Sequence, residues 1–349
     1  MTRVAGTLGR YRRETTRVGL GRNQGRPARG EYRRAVPVRA AVWDLGSSSF
    51  HLLVCEVADH TLTPVVHRRA LLNLGLSVGA RGNIPRERVT ASMAAAKRLR
   101  RGLSEAPAEL VVALGTAALR DARNGPEVVD SLQRVVGTPI RVLDGEEEAR
   151  LCFVGQRAGV WIGEATTLGL DLGGGSLEAA IGSQRHVELA TSAAVGPARL
   201  RGELGTGDVL SAADQASLVA RTIEELAPVK DAVARYGGVA RRTVVSGGTV
   251  RALARLATAR ARRWPSTGAG EVNQVELPAG QVAELAEQLA RLDLPTRLAL
   301  PGMQARRAPL LPVGAVILST VASELGVDRF VVSEWGLREG AIIDALGHL

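Results

Sequence analysis

The 349-residue chain contains only two cysteines, Cys55 and Cys152, ten aromatic residues, and two lysines, Lys97 and Lys230, among 45 basic side chains. Two cysteines cannot form a disulfide framework, and neither has metal-ligand spacing, which points to a reducing cytoplasm. The few aromatics are scattered, without the interleaving that base stacking uses. No apolar run reaches the roughly 18 residues of a membrane span, because Arg, Glu, Asp or Gly interrupts every long stretch. An apolar secretory core after the positively charged start is also lacking. What remains is a water-soluble globular chain, 45% hydrophobic and 23% charged, long enough for two domains.

The net charge of +10 is unevenly distributed. Residues 1–34 hold ten arginines and two glutamates, a balance of +8, so the rest of the chain carries +2. This Gly-rich, weakly apolar stretch has too little to bury in a core. It reads as a disordered arm or as an over-long start, with the true beginning near Val36 or Val38. A nucleic-acid role would rest on this arm alone, and the near-neutral body argues against one. The expected divisions are therefore 1–37, an extension; 38–160, an N-terminal lobe; and 161–349, a C-terminal lobe.

From residue 38, short β-branched runs end in Gly or Ser and give way to helical periodicity, the pattern of an α/β fold. Val38 to Trp43 leads into Asp44-Leu45-Gly46-Ser47-Ser48-Ser49 and then a second strand from His51. The same arrangement returns 127 residues later as Asp171-Leu172-Gly173-Gly174-Gly175-Ser176, identical at four of six positions and again followed by a strand. Duplication suggests two similar units that share a cleft. Glycines let backbone amides approach phosphate oxygens, serine hydroxyls add donors, and the leading aspartates offer hard oxygen ligands suited to Mg2+. A single turn of this kind could equally be an ordinary tight hairpin.

Between the copies, Leu110–Leu114 reads as a strand that ends at Gly115-Thr116 before a helix carrying Arg120. Arg120 would lie at the strand's carboxyl end, able to hold phosphate or simply solvated on its helix. Asp144-Gly145-Glu146-Glu147-Glu148-Ala149 opens another helix. Glu146 and Glu147 fit dipole complementation, whereas Glu148, one turn before Cys152, would face inward as a general base. Either Glu147 or Glu148 serves if the helix register differs. Ser246-Gly247-Gly248 follows a short strand and offers a helix N-terminus to an anion or a packing surface between lobes. Arg338 and Glu339 read as ligands or an interlobe ion pair, and His51 as a structural histidine. Residues 212–234 read as an amphipathic helix broken at Pro228.

Together these segments resemble the exopolyphosphatase and guanosine pentaphosphate phosphohydrolase family. The resemblance is carried by residues 44–49, Gly115-Thr116 with Arg120, residues 145–149, residues 171–178, residues 246–250, and Ser333 with residues 336–340. It covers about residues 38–349 and implies the two-lobed fold of actin, sugar kinases and heat-shock chaperone ATPases, a ribonuclease H-like α/β architecture with a mixed five-stranded sheet per lobe. It further implies Mg2+-dependent release of a terminal phosphate from inorganic polyphosphate or guanosine pentaphosphate, and a possible homodimer.

On that basis Glu148 and Arg120 are expected to be catalytic. Gly46, Ser47, Ser48, Gly173, Gly174, Gly175, Ser176, Gly247 and Gly248 are expected to bind phosphate, and Asp44, Asp171 and Glu178 to bind Mg2+. The chain departs from the family where Ser48 replaces an asparagine, Leu177 a threonine, and Pro309 the aspartate of an Arg-Ala-Asp segment. It resembles the short members that lack a further C-terminal region. The near-neutral body favours short polyphosphate chains over long ones. A small-molecule kinase or a non-catalytic phosphate-binding module of the same superfamily would also carry such turns.

Overall fold

A computed structural model describes residues 37–58, 61–237, 242–260 and 272–347. The basic extension expected over residues 1–37 thus lies, apart from Pro37, outside the described residues. The first half of the fold runs β1 (Val38–Leu45), β2 (Ser49–Ala58), β3 (Thr61–Leu71), α1 (Leu74–Arg81), α2 (Arg86–Glu105), β4 (Leu110–Gly115), α3 (Ala117–Asp121), α4 (Gly125–Val136), β5 (Ile140–Val142) and α5 (Gly145–Gly159). The second half runs β6 (Thr167–Leu172), β7 (Leu177–Gly182), β8 (Val187–Ala193), α6 (Pro197–Leu204), α7 (Ala212–Glu225), α8 (Ala227–Arg235), β9 (Arg242–Ser246), α9 (Gly248–Arg260), β10 (Glu276–Pro278), α10 (Ala279–Arg291), α11 (Leu294–Leu298), α12 (Leu311–Leu325), β11 (Arg329–Val332) and α13 (Leu337–Ala345).

The two sheets share one plan. The first has the order β3-β2-β1-β4-β5, with β1–β2 and β2–β3 antiparallel and β1–β4 and β4–β5 parallel. The second repeats it as β8-β7-β6-β9-β11 with the same alternation of directions, and adds β10 antiparallel at the far edge. This duplicated order is the expected actin-like architecture, except that the second sheet has six strands rather than five. A three-residue edge strand is too short to leave a periodic signal in sequence.

Period-two alternation splits each strand between two cores. On β1, Ala41, Trp43 and Leu45 face a core shared with Ala95 and Leu99 of α2 and Leu132 of α4. Ala40 and Val42 face the opposite core, with Leu151 and Val154 of α5 and Ala341, Ile342 and Ile343 of α13. The last helix, expected with the second lobe, therefore shares the core of the first sheet. Next to it, α5 turns Phe153 toward Val244 and Val331 of the second sheet. Glycines let the two central helices touch: a Cβ at Gly155 would collide with the Gly336 carbonyl, and one at Gly340 with that of Leu151. The helix expected over 212–234 is indeed divided, with α8 restarting at Ala227 and Pro228 in its first turn, where a missing N–H costs nothing.

Candidate active site

Both Gly-rich turns connect the first and second strands of their sheets, so the fold's pseudo-symmetry aims them at each other. A Cβ at Gly174 would overlap Ser48 Oγ and lie 3.0 Å from Ser48 N, and one at Gly175 would lie 2.5 Å from Ser47 Oγ. Such proximity tolerates only glycine on the second turn. Each turn is closed by its own backbone, Gly46 N–H donating to Ser49 O at 3.2 Å and Gly173 N–H to Ser176 O at 3.0 Å. These two amides shape the turns and are not available as the phosphate donors expected of Gly46 and Gly173. Carbonyls are anchored from behind: Ser48 O accepts from Leu72 and Asn73, Ser47 O from Gly75, and Gly174 O from Ala198 and Arg199. Among the described residues no hydrogen bond occupies the N–H groups of Ser47, Ser48, Gly174 or Gly175, which makes them the donors the turns can offer.

The helix register resolves the acidic run. Asp144 caps α5, its carboxylate accepting from Glu147 N–H at 2.8 Å. Glu146 is exposed and Glu147 pairs with Arg141 at the surface, while Glu148 is buried and lines the cleft. Burial raises Glu148 to about 7, the charges of Asp44 and Asp171 adding to the effect and Arg120 opposing it. That is the protonation range of an effective general base near neutrality.

Arg120 stands behind this glutamate. Its Nη1 donates to Glu148 Oε2 at 2.9 Å and Leu143 O at 3.0 Å, and its Nε to Asp121 Oδ1 at 3.2 Å. It stands outside the residues that line the cleft and holds Glu148 from behind. Burial disfavours its charge, but Glu148, Asp121 and Glu178 outweigh that and keep its pKa raised.

The expected metal ligands divide. Asp44 and Asp171, at the ends of β1 and β6, both line the cleft. Burial raises Asp44 to about 6, with Asp171 and Glu339 adding and Arg338 opposing. Asp171 is also raised by burial, opposed by a hydrogen bond from Ser246. Ser246 in turn accepts from Gln156 Nε2 at 2.7 Å. Glu178 is 2% exposed and absent from the cleft lining. It accepts from Ser192 Oγ at 3.2 Å, and burial followed by the Glu148 charge pushes its pKa well up. Among the described residues no three His, Cys, Asp or Glu side chains form one metal cage, so Asp44, Asp171 and Glu178 are not a preassembled trio. The oxygen pair Asp44 and Asp171 still fits Mg2+, which usually binds one or two carboxylates and completes its shell with phosphate and water.

The remaining expected donors are divided between structure and cleft. Ser47, half-buried Ser48 and Ser176 all line the cleft; Ser47 Oγ accepts from Ala118 N–H at 3.0 Å and keeps its own proton to donate, whereas the Ser176 hydroxyl bonds Glu178. Gly247 has φ +111° and Gly248 opens α9, both lining the cleft. A Cβ at Gly248 would overlap the guanidinium of Arg307, which caps this N-terminus like a lid.

Sequence reading missed the basic end of the cleft. Arg251, Arg306, Arg307 and Arg338 line it, and Arg69 lies near enough to influence them. None of the five has a carboxylate partner among the described residues. Burial, then Arg251, Arg306 and Arg69, push Arg307 down to about 9, the signature of crowded like charges. Arg338, expected as a ligand or an interlobe ion pair, lines the cleft and reaches the first lobe through histidines rather than an acid, its Nη1 2.9 Å from His51 Nδ1 and 3.0 Å from His67 Nε2. His51 also bonds Ser49 Oγ at 2.8 Å, so it belongs to the cleft wall. Burial and Arg338 push His51 well below its ordinary pKa and His67 to about 3, so both imidazoles are neutral beside that arginine. Glu339 caps its own helix through Gly336 N–H at 3.0 Å.

Known proteins are similar to this chain in sequence and fold. A model of the Ppx/GppA phosphatase family matches residues 53–349. Exopolyphosphatase 1 of Mycobacterium tuberculosis is 30% identical over 312 residues, 88% of either chain. A guanosine-5'-triphosphate,3'-diphosphate pyrophosphatase of Aeromonas hydrophila is 29% identical over 316 residues, 89% of this chain and 60% of that one. The crystal structure of an exopolyphosphatase from Cytophaga hutchinsonii superposes with a TM-score of 0.80 at 26% identity, covering 89% of this chain and 98% of that one. No helix among the described residues is long and apolar enough to cross a membrane. With its duplicated turns, its buried glutamate and this breadth of match, the chain belongs to the Ppx/GppA phosphatase family of hydrolases.

Proposed function

We propose that the protein is an Mg2+-dependent exopolyphosphatase that releases terminal phosphate from inorganic polyphosphate, with short chains preferred. The observation that carries this reading is the position of buried Glu148 at the two converged turns, with unpaired arginines continuing the cleft beyond them.

The terminal phosphate takes donors from the Ser47, Ser48, Gly174 and Gly175 amides. Phosphoryl transfer through a loose transition state asks mainly for such positioning and charge neutralisation. Glu148 accepts a proton from a water whose oxygen forms the new bond to the terminal phosphorus, and the bridging P–O bond breaks to leave its electrons on the shortened chain. Arg120 fixes the direction of the receiving carboxylate. Asp44 and Asp171 would hold Mg2+, which when bound supplies positive charge to the phosphates. Arg251, Arg306 and Arg307 receive the next phosphates along the chain, where an anion relieves their mutual repulsion.

Polyphosphate is favoured over guanosine pentaphosphate because no Trp, Tyr or Phe lines the described cleft to stack on a purine, and the His51 ring there is engaged by Arg338 and Ser49. The chain also spans 88% of its exopolyphosphatase relative but 60% of the pyrophosphatase one. The basic end is local, which supports short chains over a long track. The test compares orthophosphate release from short-chain polyphosphate, long-chain polyphosphate and guanosine pentaphosphate, with and without Mg2+. The highest kcat/KM on short chains in Mg2+ is expected. Faster release from guanosine pentaphosphate, or equal rates without the metal, would overturn the proposal.

A further inference from the structure

We infer that Arg199 is a positioning residue that ties the second turn to the aim of Glu148. The inference rests on the reading of Glu148 as base, and it concerns a residue outside the cleft lining.

Arg199 lies near the start of α6, in the half of the chain that carries the second turn. Its backbone N–H donates to Gly174 O at 3.2 Å, and its side-chain Nε donates to Gly175 O at 2.7 Å. One guanidinium edge thus grips the back of the second turn. From the same edge Nη2 reaches the first half, where it pairs with Asp121 at the end of α3. Asp121 holds Arg120 Nε at 3.2 Å, and Arg120 Nη1 donates to Glu148 Oε2 at 2.9 Å. A continuous run of charge-assisted contacts therefore joins the carbonyl of one phosphate turn to the carboxylate of the base.

Several features make the run specific. The Arg199 side chain is 13% exposed, and its only other acidic neighbour among the described residues, Glu203, is 3.8 Å away. The planar fork of arginine can serve a carbonyl and a carboxylate at once, which an ammonium does less well. Its backbone is fixed too, since α1 and α6 meet at glycines: a Cβ at Gly79 would collide with Arg199 O, and one at Gly202 with Leu76 O. Because α1 belongs to the first half and α6 to the second, this packing and the Arg199–Asp121 pair keep the second turn in a fixed relation to Arg120, and so to the Glu148 carboxylate.

The test uses the full chain, with Arg199→Gln, Arg199→Lys and the double variant Arg199→Gln/Glu148→Gln, assayed for orthophosphate release from short-chain polyphosphate in Mg2+. Loss of a positioning contact should lower kcat of Arg199→Gln about 10- to 100-fold while KM changes less than about threefold. Arg199→Lys should recover part of the loss, as it keeps the pair with Asp121 but not the fork. In the Glu148→Gln background, Arg199→Gln should cost almost nothing further, because both act through one carboxylate. A rise in KM at constant kcat, or fully additive losses, would overturn the coupling. A kcat loss in Arg199→Gln that Arg199→Lys does not relieve, matched by a lowered Tm, would reduce Arg199 to a structural role. Unchanged turnover in Glu148→Gln alone would instead remove the reading of the base, which separates the two failures.

Discussion

Replacing Gly174 by Ala tests whether the two turns must converge. The new methyl group would overlap Ser48 Oγ and stand 3.0 Å from both Ser48 Cβ and Ser48 N. Part of that obstruction is backbone, which cannot rotate away. Overpacking of this kind costs about 1–3 kcal/mol. Here the cost falls on the approach of the lobes rather than on either core, because Gly174 and Ser48 sit on opposite turns. If the closed arrangement is the reactive one, kcat should fall about 5- to 150-fold, the population change those energies correspond to. Tm should move little. A second change, Ser48→Gly, removes the Oγ and Cβ and leaves only the contact with Ser48 N, so the double variant should recover much of the lost rate. The assay is orthophosphate release from short-chain polyphosphate for the parent, both single variants and the double, read as a cycle. A parent-like kcat for Gly174→Ala, or losses that simply add, would refute the idea that these turns act on one phosphate.

Further outcomes follow from the charges. Glu148 has a folded-state pKa raised from 4.5 to about 7, so its contribution to stability is fully present below about 4.5 and lost as pH rises through about 7. Glu148→Gln should therefore gain Tm relative to the parent between these values and hold a constant advantage above them, with a ceiling of about 3 kcal/mol. A Tm difference independent of pH would contradict the raised value. Arg307→Gln should raise KM for chains of several phosphates by about tenfold, the loss of one charge-assisted contact. It should leave kcat nearly unchanged, and an equal effect on the shortest substrate would remove Arg307 from the distal subsite.

The legibility of the sequence depended on whether a signal was local. Each strand, Gly-rich turn and following strand is contiguous, so the repeat at residues 44–49 and 171–176 exposed both sheets and the cleft. Glu148 could be singled out because its inward position follows from spacing to Cys152 on one helix. Arg120 lay on the expected helix, but its partners could not be foreseen, since Leu143 and Glu148 reach it only through tertiary packing. The basic end was hidden for the same reason: Arg69, Arg251, Arg307 and Arg338 come from β3, α9, the turn before α12, and α13. Arg338 stood out in the segment 336–340, and the adjacent pair Arg306-Arg307 just before an apolar helix offered the other sequence signal. His51 and His67 belong to paired strands, yet a register shift between Val54 and Cys55 sets their alignment, and such bulges escape periodicity. The C-terminal helix carries apolar residues on the face that meets β1, but nothing in their spacing says which sheet they will cover.

The most direct measurement is kcat for orthophosphate release from short-chain polyphosphate in Mg2+, followed from pH 5 to 9 in the parent and in Glu148→Gln. The account predicts a parent rate that climbs as pH passes about 7, where Glu148 loses its proton. It predicts a rate in the variant lower by about 10²–10⁴-fold and without that limb. Equal rates in the two proteins, or the same limb in both, would contradict it.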